Sequence, residues 1–548
     1  MECRVGAVFA VKPSGKKVIS TKIKLGNMSH NALKNTRERL LADLLPEGRW
    51  EGELSSSALA TAVASFALKS AGRTELAEHG FQWLENNRNA DGGWGDSPES
   101  PSNFTTTLLC RCVLDEEIGS PQEVADSILN HYGDDRTFSV PILTLCMLTG
   151  KLSNDWKLIP QLPFELAAVP YRFYKFLRLP VVSYALPALI AIGLVRHVHR
   201  PSKLAFWRNA LIPRVLEILQ KIQPKSGGYI EAMPLTGFVA MSLIGAGYGD
   251  HPVTQSCLRC LENTVRGDGS WPIDVNLSTW VTSLATCALA DDLSEEQKNS
   301  IRSYLLTTQW KEVHPFTNSE PGGWGWTHEQ GGVPDADDTS AALLALKSLG
   351  CETAVAEQGI RWLLNLQNRD GGMPTFCKGW GRLPFDRSCS DLTAHAIRAF
   401  NVWRSEVDSN LCKQMEQSVA RAFHYLEKEQ RPDGSWVPLW FGNQQNENHE
   451  NPVYGTVRVL EALKELDHPM VAKGFQWLEK LDLDGLCLEE VALVAGLTGR
   501  GVERLAEMTS NGMEFPASPI GLYFASLWYS EKLYPVIFSM EAFKRCAM

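Results

Sequence analysis

Apolar residues recur every three or four positions along most of the chain, as in residues 281–289 and 340–349. That spacing places them on one face of an α-helix, whereas the strict alternation typical of a half-buried strand is rare. The pattern therefore predicts an all-α protein built from amphipathic helices.

Glycine-rich turns that carry an aromatic residue separate many of these helices. Asp91-Gly92-Gly93-Trp94 and Asp433-Gly434-Ser435-Trp436 are two copies, and a Gln such as Gln430 often ends the preceding helix. The aromatic positions of the turns are Trp50, Trp94, Tyr229, Trp271, Trp324 and Trp436. Many copies are spaced by roughly 40 to 60 residues, a period that indicates a repeat architecture.

Helix pairs stacked in series bury a continuous core, and a closed array of them forms an α/α barrel. The Gln side chain can bind the start of a neighbouring helix while the aromatic residue packs on it. We therefore expect most of the repeated Trp residues to hold helices together rather than to catalyse a reaction.

Length and charge narrow the class of protein. A chain of 548 residues is too long for one simple core and suggests two or three domains. The net charge of -10 argues against a nucleic-acid partner. The 13 Cys residues show no metal-ligand spacing, and we interpret Cys257 and Cys260 as buried thiols in a reducing compartment.

One segment is unusually apolar. Residues 179–195 carry no charge, are flanked by Arg178 and Arg196, and contain two prolines. The segment is short for a membrane span, so it predicts a buried or interfacial helix. The aromatic and basic residues 171–175 before it suit a membrane surface, and they equally suit a core helix with a solvated edge.

The most informative stretch is Pro334-Asp335-Ala336-Asp337-Asp338-Thr339, which precedes an apolar, helix-forming run. Pro and Asp favour a helix start, and the positive end of the helix dipole would lie beneath the carboxylates. Such a cluster is either a simple cap or a strong Brønsted acid, in which one carboxyl holds a proton among like charges.

Several motifs in the same order resemble the squalene–hopene cyclase family of class II terpene cyclases. They are the glycine–tryptophan repeats, the Asp-x-Asp-Asp-Thr cluster, the segment Ser390-Asp391-Leu392-Thr393-Ala394-His395, Tyr454-Gly455-Thr456, and Phe515-Pro516. The resemblance extends over nearly the whole chain.

The resemblance implies two α/α barrels with a large apolar cavity between them. Residues 1–30 would be an N-terminal extension, and residues 31–45 a helix that joins the C-terminal barrel. Residues 46–275 would form the inserted barrel, and residues 276–548 the catalytic barrel.

The resemblance also implies roles for six polar residues. Asp337 would donate the proton, Asp335 and Asp338 would tune it, and His395 would hydrogen-bond Asp337. Asp391 precedes His395 by one helical turn and would hold it charged, or it would merely cap the helix. Tyr454 would return the proton through its hydroxyl or a water molecule.

Five aromatic residues fall at positions where the family has cavity aromatics, and packing between repeats is the competing interpretation for each. They are Trp326, Trp280, Trp440, Phe515 and Tyr523. The chain departs from the family pattern in an insert at residues 442–450 and in Pro519, which stands where another cavity aromatic is expected.

The function implied is an isomerase that cyclises squalene to a polycyclic, hopene-type triterpene, without metal or cofactor. The resemblance places it at the cytoplasmic face of a membrane as a peripheral or monotopic protein. A homodimer is one expectation for its assembly, and the oligomeric state stays open.

The sequence leaves three alternative functions open. One is a Mg²⁺-dependent cyclase of a shorter prenyl diphosphate, with Lys378 and Arg382 as candidate anion ligands. A second is a relative of the protein prenyltransferase β subunit, which requires a zinc site and a partner subunit. The third is a non-catalytic α/α toroid.

Overall fold

The computed structural model describes residues 27–133, 136–179, 182–201, 205–521 and 527–547. Within these ranges the chain forms α-helices and short 3₁₀ turns, and its β-pairing consists of isolated single bridges. The all-α class predicted from the sequence is confirmed. Residues 1–26, which make up most of the predicted N-terminal extension, lie outside the described ranges.

Five helices of the N-terminal half close into a ring. The helices of this half are α1 (Asn27–Ala42), α2 (Ala58–Ser70), α3 (Thr74–Asn86), α4 (Phe104–Val113), α5 (Pro121–Tyr132), α6 (Arg136–Leu148), α7 (Tyr171–Leu177), α8 (Val182–His199), α9 (Ala205–Ile222), α10 (Met233–Gly245) and α11 (Pro252–Thr264). The ring runs α2, α4, α6, α8, α10 and back to α2, and α3, α5, α9 and α11 pack outside it. These helices share one hydrophobic core, so they form the first α/α barrel.

Six helices of the C-terminal half close into a second ring. The helices here are α12 (Ser278–Leu289), α13 (Glu295–Thr308), α14 (Ala336–Ser348), α15 (Thr353–Leu366), α16 (Ser390–Trp403), α17 (Ser409–Glu429), α18 (Pro452–Leu463), α19 (Pro469–Lys480), α20 (Leu488–Thr498), α21 (Val502–Met508) and α22 (Tyr534–Ala547). The even-numbered helices form the inner ring, and α22 contacts both α20 and α12 to close it. The odd-numbered helices pack outside, where α1 joins them against α21 and α22.

The tryptophans of the glycine-rich turns lock the ends of outer helices. The indole Nε1–H of Trp94 donates to the Leu84 carbonyl oxygen at 2.7 Å, and that of Trp436 donates to the Leu426 carbonyl oxygen at 2.8 Å. Both side chains are fully buried. Each bond satisfies one of the carbonyl groups that a helix leaves unpaired near its C-terminus.

The glutamine that ends an outer helix links two repeats. Gln430 Nε2 donates to the Gly434 carbonyl in its own turn at 2.9 Å and to the Met470 carbonyl at the start of α19 at 2.8 Å. Gln223 Nε2 makes the same pair of contacts, with Gly227 and with Val253 at the start of α11. The turns and their glutamines therefore fix the spacing between successive outer helices.

Two adjoining apolar cavities lie where the barrels meet. The junction cavity, about 280 Å³, is bordered by the start of α14 and by aromatic side chains of the second barrel. The first-barrel cavity, about 260 Å³, is lined by α2, α4, α6 and α10. Both cavities are bordered by the same five residues, which are Ile230, Ala232, Ile273, Phe385 and Leu527.

The apolar segment around residues 179–195 belongs mostly to α8. This helix is part of the inner ring of the first barrel, and Ile190, Ile192 and Val195 are fully buried in its core. Among the described helices, none combines the length and the hydropathy that crossing a bilayer requires. Of the two interpretations of this segment, the structure therefore favours a buried helix.

Candidate active site

The acidic cluster forms the start of α14. Asp335 is the N-cap in an extended conformation, and its Oδ1 accepts hydrogen bonds from the backbone N–H groups of Asp337 and Asp338, each at 2.8 Å. Helix α14 belongs to the inner ring, so its N-terminus and the carboxyls on it face the junction cavity. The cluster is thus both a cap and part of a cavity wall.

Asp335 and Asp338 are both 4% exposed. Burial raises the pKa of Asp335 to about 7. Burial also raises the pKa of Asp338 well above its usual range, and the neighbouring Asp335 raises it further. Charging both groups would place two negative charges side by side in a buried site, so burial and the neighbouring Asp335 both favour the protonated form of Asp338.

Asp337 contacts a histidine from the next helix of the ring. Its Oδ1 lies 2.5 Å from Nδ1 of His395 on α16, and the two side chains are 17% and 12% exposed. Burial lowers the pKa of His395, while the bond to Asp337 opposes that shift. The contact predicted between these two residues is therefore present, with an imidazole that is harder to protonate than a free one.

Asp391 has a different partner from the one expected. Its Oδ1 accepts a hydrogen bond from the thiol of Cys389, the N-cap residue of α16. Burial, followed by the nearby Asp337, raises the pKa of Asp391 to about 7. A carboxyl that is partly protonated near neutral pH attracts a charged imidazole less strongly, so the role expected for Asp391 beside His395 stays a prediction.

Tyr454 lies at the start of α18, behind the Asp337–His395 pair. Its backbone N–H donates to Asn451 Oδ1 at 2.9 Å, and the Arg458 guanidinium lies 5.1 Å from its ring centre. Tyr454, Asp337 and His395 border a polar pocket of about 20 Å³. That volume accommodates about one water molecule, which gives the expected hydroxyl–water link a suitable place.

Three of the five predicted aromatics surround the acid. Trp280, Trp326 and Trp440 all border the junction cavity together with Asp337. The Trp280 ring also makes an edge contact with His395, with centroids 6.0 Å apart, and its Nε1–H donates to the Tyr534 hydroxyl at 3.0 Å. Trp280 therefore serves both the cavity wall and the packing of the barrel.

The other two predicted aromatics are not placed there. Phe515 packs against the core of the second barrel, and it is not among the described residues that line either cavity. Tyr523 lies outside the described residues. Phe376, Phe385 and Phe441, which the sequence did not single out, border the junction cavity.

The insert at residues 442–450 bridges the two barrels. Gln444 Oε1 accepts a hydrogen bond from Ser100 Oγ of the first barrel at 2.9 Å, and Asn443 Nδ2 donates to Glu490 Oε1 of the second at 2.7 Å. The Gly442 N–H donates to the Gly521 carbonyl at 3.1 Å, close to the segment that carries Pro519. The insert therefore shapes the edge of the junction rather than forming a separate unit.

Two family models match this chain. One, described as the squalene-hopene cyclase C-terminal domain, matches residues 277–492, which contain the acidic cluster, His395 and Tyr454. The other, described as the squalene-hopene cyclase N-terminal domain, matches residues 33–203. The two matches together cover well over half of the sequence.

The chain belongs to the squalene–hopene cyclase family. The family predicted from the motifs is thereby confirmed. A squalene–hopene cyclase of Alicyclobacillus acidocaldarius is 24% identical over an alignment of 521 positions, which covers 78% of this chain and 77% of that protein.

Two fungal relatives are much longer than this chain. The terpene cyclase–glycosyl transferase fusion protein fsoA of Humicola fuscoatra is 24% identical over 79% of this chain and 40% of its own length. The enfumafungin synthase efuA of Hormonema carpetanum is 24% identical over 76% of this chain and 38% of its own. The chain thus spans about two fifths of each.

Compared with the family motifs, the structure adds a group of buried charges behind the acid. The Glu461 carboxylate on α18 accepts hydrogen bonds from the guanidinium groups of Arg398, Arg458 and Arg545 at 3.1, 3.0 and 2.6 Å. Glu461 itself is only 9% exposed. Both Arg398 and Arg458 border the polar pocket. The sequence does indicate these two arginines, because Arg398 follows His395 by one helical turn and Arg458 follows Tyr454 by one helical turn. Each is a charged residue inside an otherwise apolar helix.

The residues considered for the diphosphate alternative lie at a separate opening. Lys378 lines an open pocket of about 500 Å³ with Arg178 and Arg361, and Phe376 borders both this pocket and the junction cavity. Arg382 lies in the exposed loop beyond Lys378. In the described part of the chain, no cluster of three or more His, Cys, Asp or Glu side chains is arranged to hold a metal ion.

Proposed function

We propose that this protein is a class II terpene cyclase, which protonates a linear polyprenyl and closes it into a polycyclic product. The substrate we propose is squalene, and the product a polycyclic triterpene of the hopene type. The acid is Asp337.

The observation that carries the proposal is the position of Asp337 between two unlike cavities. On one side it borders the apolar, aromatic-lined junction cavity, and on the other the polar pocket with His395 and Tyr454. A carboxyl in this position can deliver a proton to an alkene in a dry site and recover one from a polar site behind it.

The first step moves one proton. The π electrons of the terminal alkene take the proton of the Asp337 carboxyl, which leaves a tertiary carbocation in the cavity and a carboxylate on the enzyme. The backbone N–H groups at the start of α14 and the helix dipole stabilise negative charge at this point. His395 lies 2.5 Å from the carboxylate and can donate its Nδ1–H to it.

The walls of the cavity suit the cation that follows. Trp280, Trp326, Trp440, Phe376 and Phe385 present aromatic rings to the same space. Aromatic faces attract cations without acting as strong nucleophiles, so positive charge can migrate along the folded chain until a proton is lost or water is added.

The length of the apolar space supports a long substrate. The junction cavity adjoins the first-barrel cavity, with which it shares five wall residues, and the lining of both is predominantly apolar. A long hydrocarbon needs an extended apolar space, because each exposed methylene would forfeit about 0.8 kcal/mol of burial.

A membrane at the cytoplasmic face is the proposed source of the substrate. Five exposed aromatic side chains support it, and we call them the aromatic face: Phe173, Phe176, Phe206, Trp207 and Trp380. Helices α7 and α9 of this face flank one groove, and Trp380 Nε1 donates to the Leu177 carbonyl at the end of α7 at 3.1 Å. An apolar patch with adjacent Arg and Lys is typical of proteins that insert shallowly into one leaflet.

The diphosphate alternative has one observation in its favour, the basic pocket beside Phe376. Lys378, Arg178 and Arg361 would offer cations to a diphosphate whose prenyl tail enters the junction cavity.

Incubation of the purified protein with squalene, and separately with geranylgeranyl diphosphate and Mg²⁺, distinguishes the two functions. We expect a polycyclic hydrocarbon or alcohol from squalene by gas chromatography and mass spectrometry. Cyclisation of the diphosphate alone would show that the proposed substrate is wrong, and no cyclisation of either would contradict the proposed class of reaction.

A further inference from the structure

One carboxylate behind the proposed acid collects positive charge from three helices of the inner ring. Glu461 Oε2 accepts hydrogen bonds from Arg398 Nη1 on α16 and from Arg458 Nη1 on α18. Glu461 Oε1 accepts from Arg545 Nη1 on α22. The carboxylate therefore fixes the position of all three guanidinium groups.

The charges around Glu461 do not cancel. Glu541 on α22 contributes a second carboxylate, with its Oε1 3.9 Å from Arg545 Nη2. Three guanidinium groups and two carboxylates leave one positive charge in excess on what we call the arginine group: Arg398, Arg458, Glu461, Glu541 and Arg545. These side chains are 4% to 30% exposed, so water screens the excess charge only partly.

The excess charge faces the acid across a very small space. Arg398, Arg458 and Glu541 border the same polar pocket as Asp337. This pocket of about 20 Å³ accommodates about one water molecule, so little solvent lies between the guanidinium groups and the acid. Arg545 is not among the described residues that line the pocket.

Aromatic contacts hold the Arg458 side chain in place. Its guanidinium carbon lies 5.1 Å from the ring centre of Tyr454 and 5.0 Å from that of Phe538 on α22. Together with the bond to Glu461, these contacts place a positive charge at the pocket before any reaction begins. A charge that is already oriented stabilises a developing opposite charge without reorganisation of the site.

The imidazole beside Asp337 is poorly suited to carry positive charge itself. Burial lowers the pKa of His395, the bond to Asp337 opposes that shift, and Arg398 and Arg458 add to it. A neutral imidazole can still donate its Nδ1–H to Asp337 Oδ1, which leaves the other carboxyl oxygen for the reacting proton. The positive charge that offsets the carboxylate then has to come from another group.

We propose that Arg398 and Arg458 are positioning residues that supply the positive charge stabilising the Asp337 carboxylate after proton transfer, while His395 remains a neutral hydrogen-bond donor. The inference rests on the proposed cyclase function and adds the origin of the strength of its acid. The proton passes from Asp337 to the alkene, and no bond to either arginine forms or breaks.

The other titratable side chains around Asp337 cannot take this role. They are Cys287 on α12, Asp335 and Asp338 on α14, Asp391 on α16, Tyr454 on α18 and Glu541 on α22. A thiol, a phenol or a carboxyl is neutral or negative in every protonation state. Among the described residues that line the polar pocket, the side chains that can be positive are therefore the two arginines and His395.

The test measures the single-turnover rate of squalene cyclisation at about pH 6, where Asp335 and Asp391, with pKa values of about 7, are mostly protonated. Arg398→Gln and Arg458→Gln should each lower this rate about tenfold, because one positive charge at the pocket is lost. Arg458→Lys should retain most of the rate, since the charge remains. Glu541→Gln should raise the rate, because it removes a negative charge from the same pocket.

Arg545→Gln is the matched control. Arg545 makes the shortest of the three bonds to Glu461 but does not line the pocket, so its loss should lower the rate less than the loss of Arg458. Circular dichroism checks the helical fold of each variant. If Arg458→Gln does not fold, the opposite effects expected of Arg398→Gln and Glu541→Gln decide the question.

A second measurement does not depend on catalysis. The pKa of His395, followed by NMR on histidine-labelled protein and assigned with His395→Gln, should rise in Arg458→Gln and fall in Glu541→Gln. If the protein cyclises nothing, the proposed function fails, and these two shifts still show whether the arginine group acts on the Asp337–His395 pair. A His395 that shifts in neither variant, or that is charged at about pH 6 in the wild type, would overturn the inference.

The rates can overturn the inference as well. Equal falls in Arg458→Gln and Glu541→Gln would show that these side chains only support the packing of the barrel. A loss in Arg458→Lys as large as that in Arg458→Gln would show that charge is not what matters. Unchanged rates in both Arg398→Gln and Arg458→Gln would remove the arginines from the proposed role.

Discussion

His395 Nδ1 and Asp337 Oδ1 lie 2.5 Å apart although 58 residues separate them in the sequence. The contact forms because α14 and α16 are neighbours in the inner ring of the second barrel and both begin at the junction cavity. It ties the proposed acid to an imidazole that can donate a hydrogen bond to it after it loses its proton.

Replacing Asp337 with Asn should abolish the acid and preserve the fold. We expect cyclisation of squalene to fall at least about 100-fold, the usual contribution of a positioned general acid, because an amide has no proton of comparable acidity. Product formation measured by mass spectrometry checks the rate, and circular dichroism checks the fold.

The matched control is Asp467→Asn. Asp467 is exposed on the second barrel, so the same chemical change there should leave the rate as it is. Full activity in Asp337→Asn would remove Asp337 from the proposed role.

The rate of cyclisation should depend on pH through the carboxyls around Asp337. Asp335 and Asp391 have pKa values raised to about 7, so each gains a full negative charge as the pH rises past that value. New negative charge beside the reacting carboxyl opposes the further negative charge that proton transfer creates there, so kcat should be highest below about pH 7 and fall above it. A profile of kcat against pH checks the direction.

Asp391→Asn tests the contribution of one of these two carboxyls. The variant removes a group that ionises near pH 7 while keeping a side chain of the same shape, so the fall in kcat above about pH 7 should be smaller, and the remainder should come from Asp335. A profile identical to that of the wild type would show that Asp391 has no electrostatic effect on the acid.

Glu489 should make stability depend on pH. Burial raises its pKa from 4.5 to about 7, so the folded state binds more protons than the unfolded state between these values. The free energy of unfolding of the wild type, relative to Glu489→Gln, should therefore fall as pH rises from about 4.5 to about 7, and level off above. The total change expected is on the order of 3 kcal/mol.

Urea titrations of both proteins at several pH values in this range measure the difference. A difference that rises with pH would mean that Glu489 is ionised in the folded protein, with the sign of the shift reversed.

We expect the aromatic ring of Trp440, rather than its indole nitrogen, to affect the rate of cyclisation and the products. The ring lies 5.7 Å from that of Phe376 and 6.0 Å from that of Phe385 at the cavity wall. Trp440→Ala should slow cyclisation about tenfold and release products with fewer rings, because an aromatic face that stabilises the cation is lost. Trp440→Phe keeps such a face and should retain most of the complete product.

The same Trp440 variants distinguish cavity function from packing. If Trp440→Ala lowers the melting temperature without changing the distribution of products, the competing interpretation of this Trp as a packing residue is correct.

The aromatic face should bind lipid. Phe206 and Trp207 are 82% and 70% exposed at the start of α9, so replacing both with Ser removes apolar area without opening the core. We expect co-sedimentation with liposomes to fall about tenfold or more, from the loss of two inserted side chains. Met513→Ser is the control, since Met513 is also 70% exposed but lies on the second barrel.

Much of the fold could be predicted from local patterns in the sequence. Helical periodicity predicted the all-α class, and the glycine–tryptophan turns predicted side chains that fasten helices, as Trp94 and Trp436 do. These features are local in sequence, because each indole donates to a carbonyl ten residues earlier. Such spacing is visible without knowledge of the tertiary structure.

Only those site residues that belong to recognisable motifs could be predicted from the sequence. The acidic cluster and His395 carry recognisable spacing, but Glu461 and Arg545 belong to no motif and meet only because their helices pack together, 84 residues apart in the sequence. Asp391 was assigned to His395 because they lie one turn apart, whereas its actual contact is with Cys389, two residues earlier. Sequence spacing predicts which residues share a face, and it does not predict which rotamer each adopts.

The closure of the second ring by α22 has a consequence for biosynthesis. The first ring is complete once α10 has been made, so the first barrel can fold while the remaining chain is still being translated. The second ring needs residues 534–547 against both α12 and α20, and the partners of α1, which are α21 and α22, are made only after residue 501. From its synthesis until then, α1 has an apolar face without a partner, so a nascent chain stalled before α22 would be a natural client for chaperones.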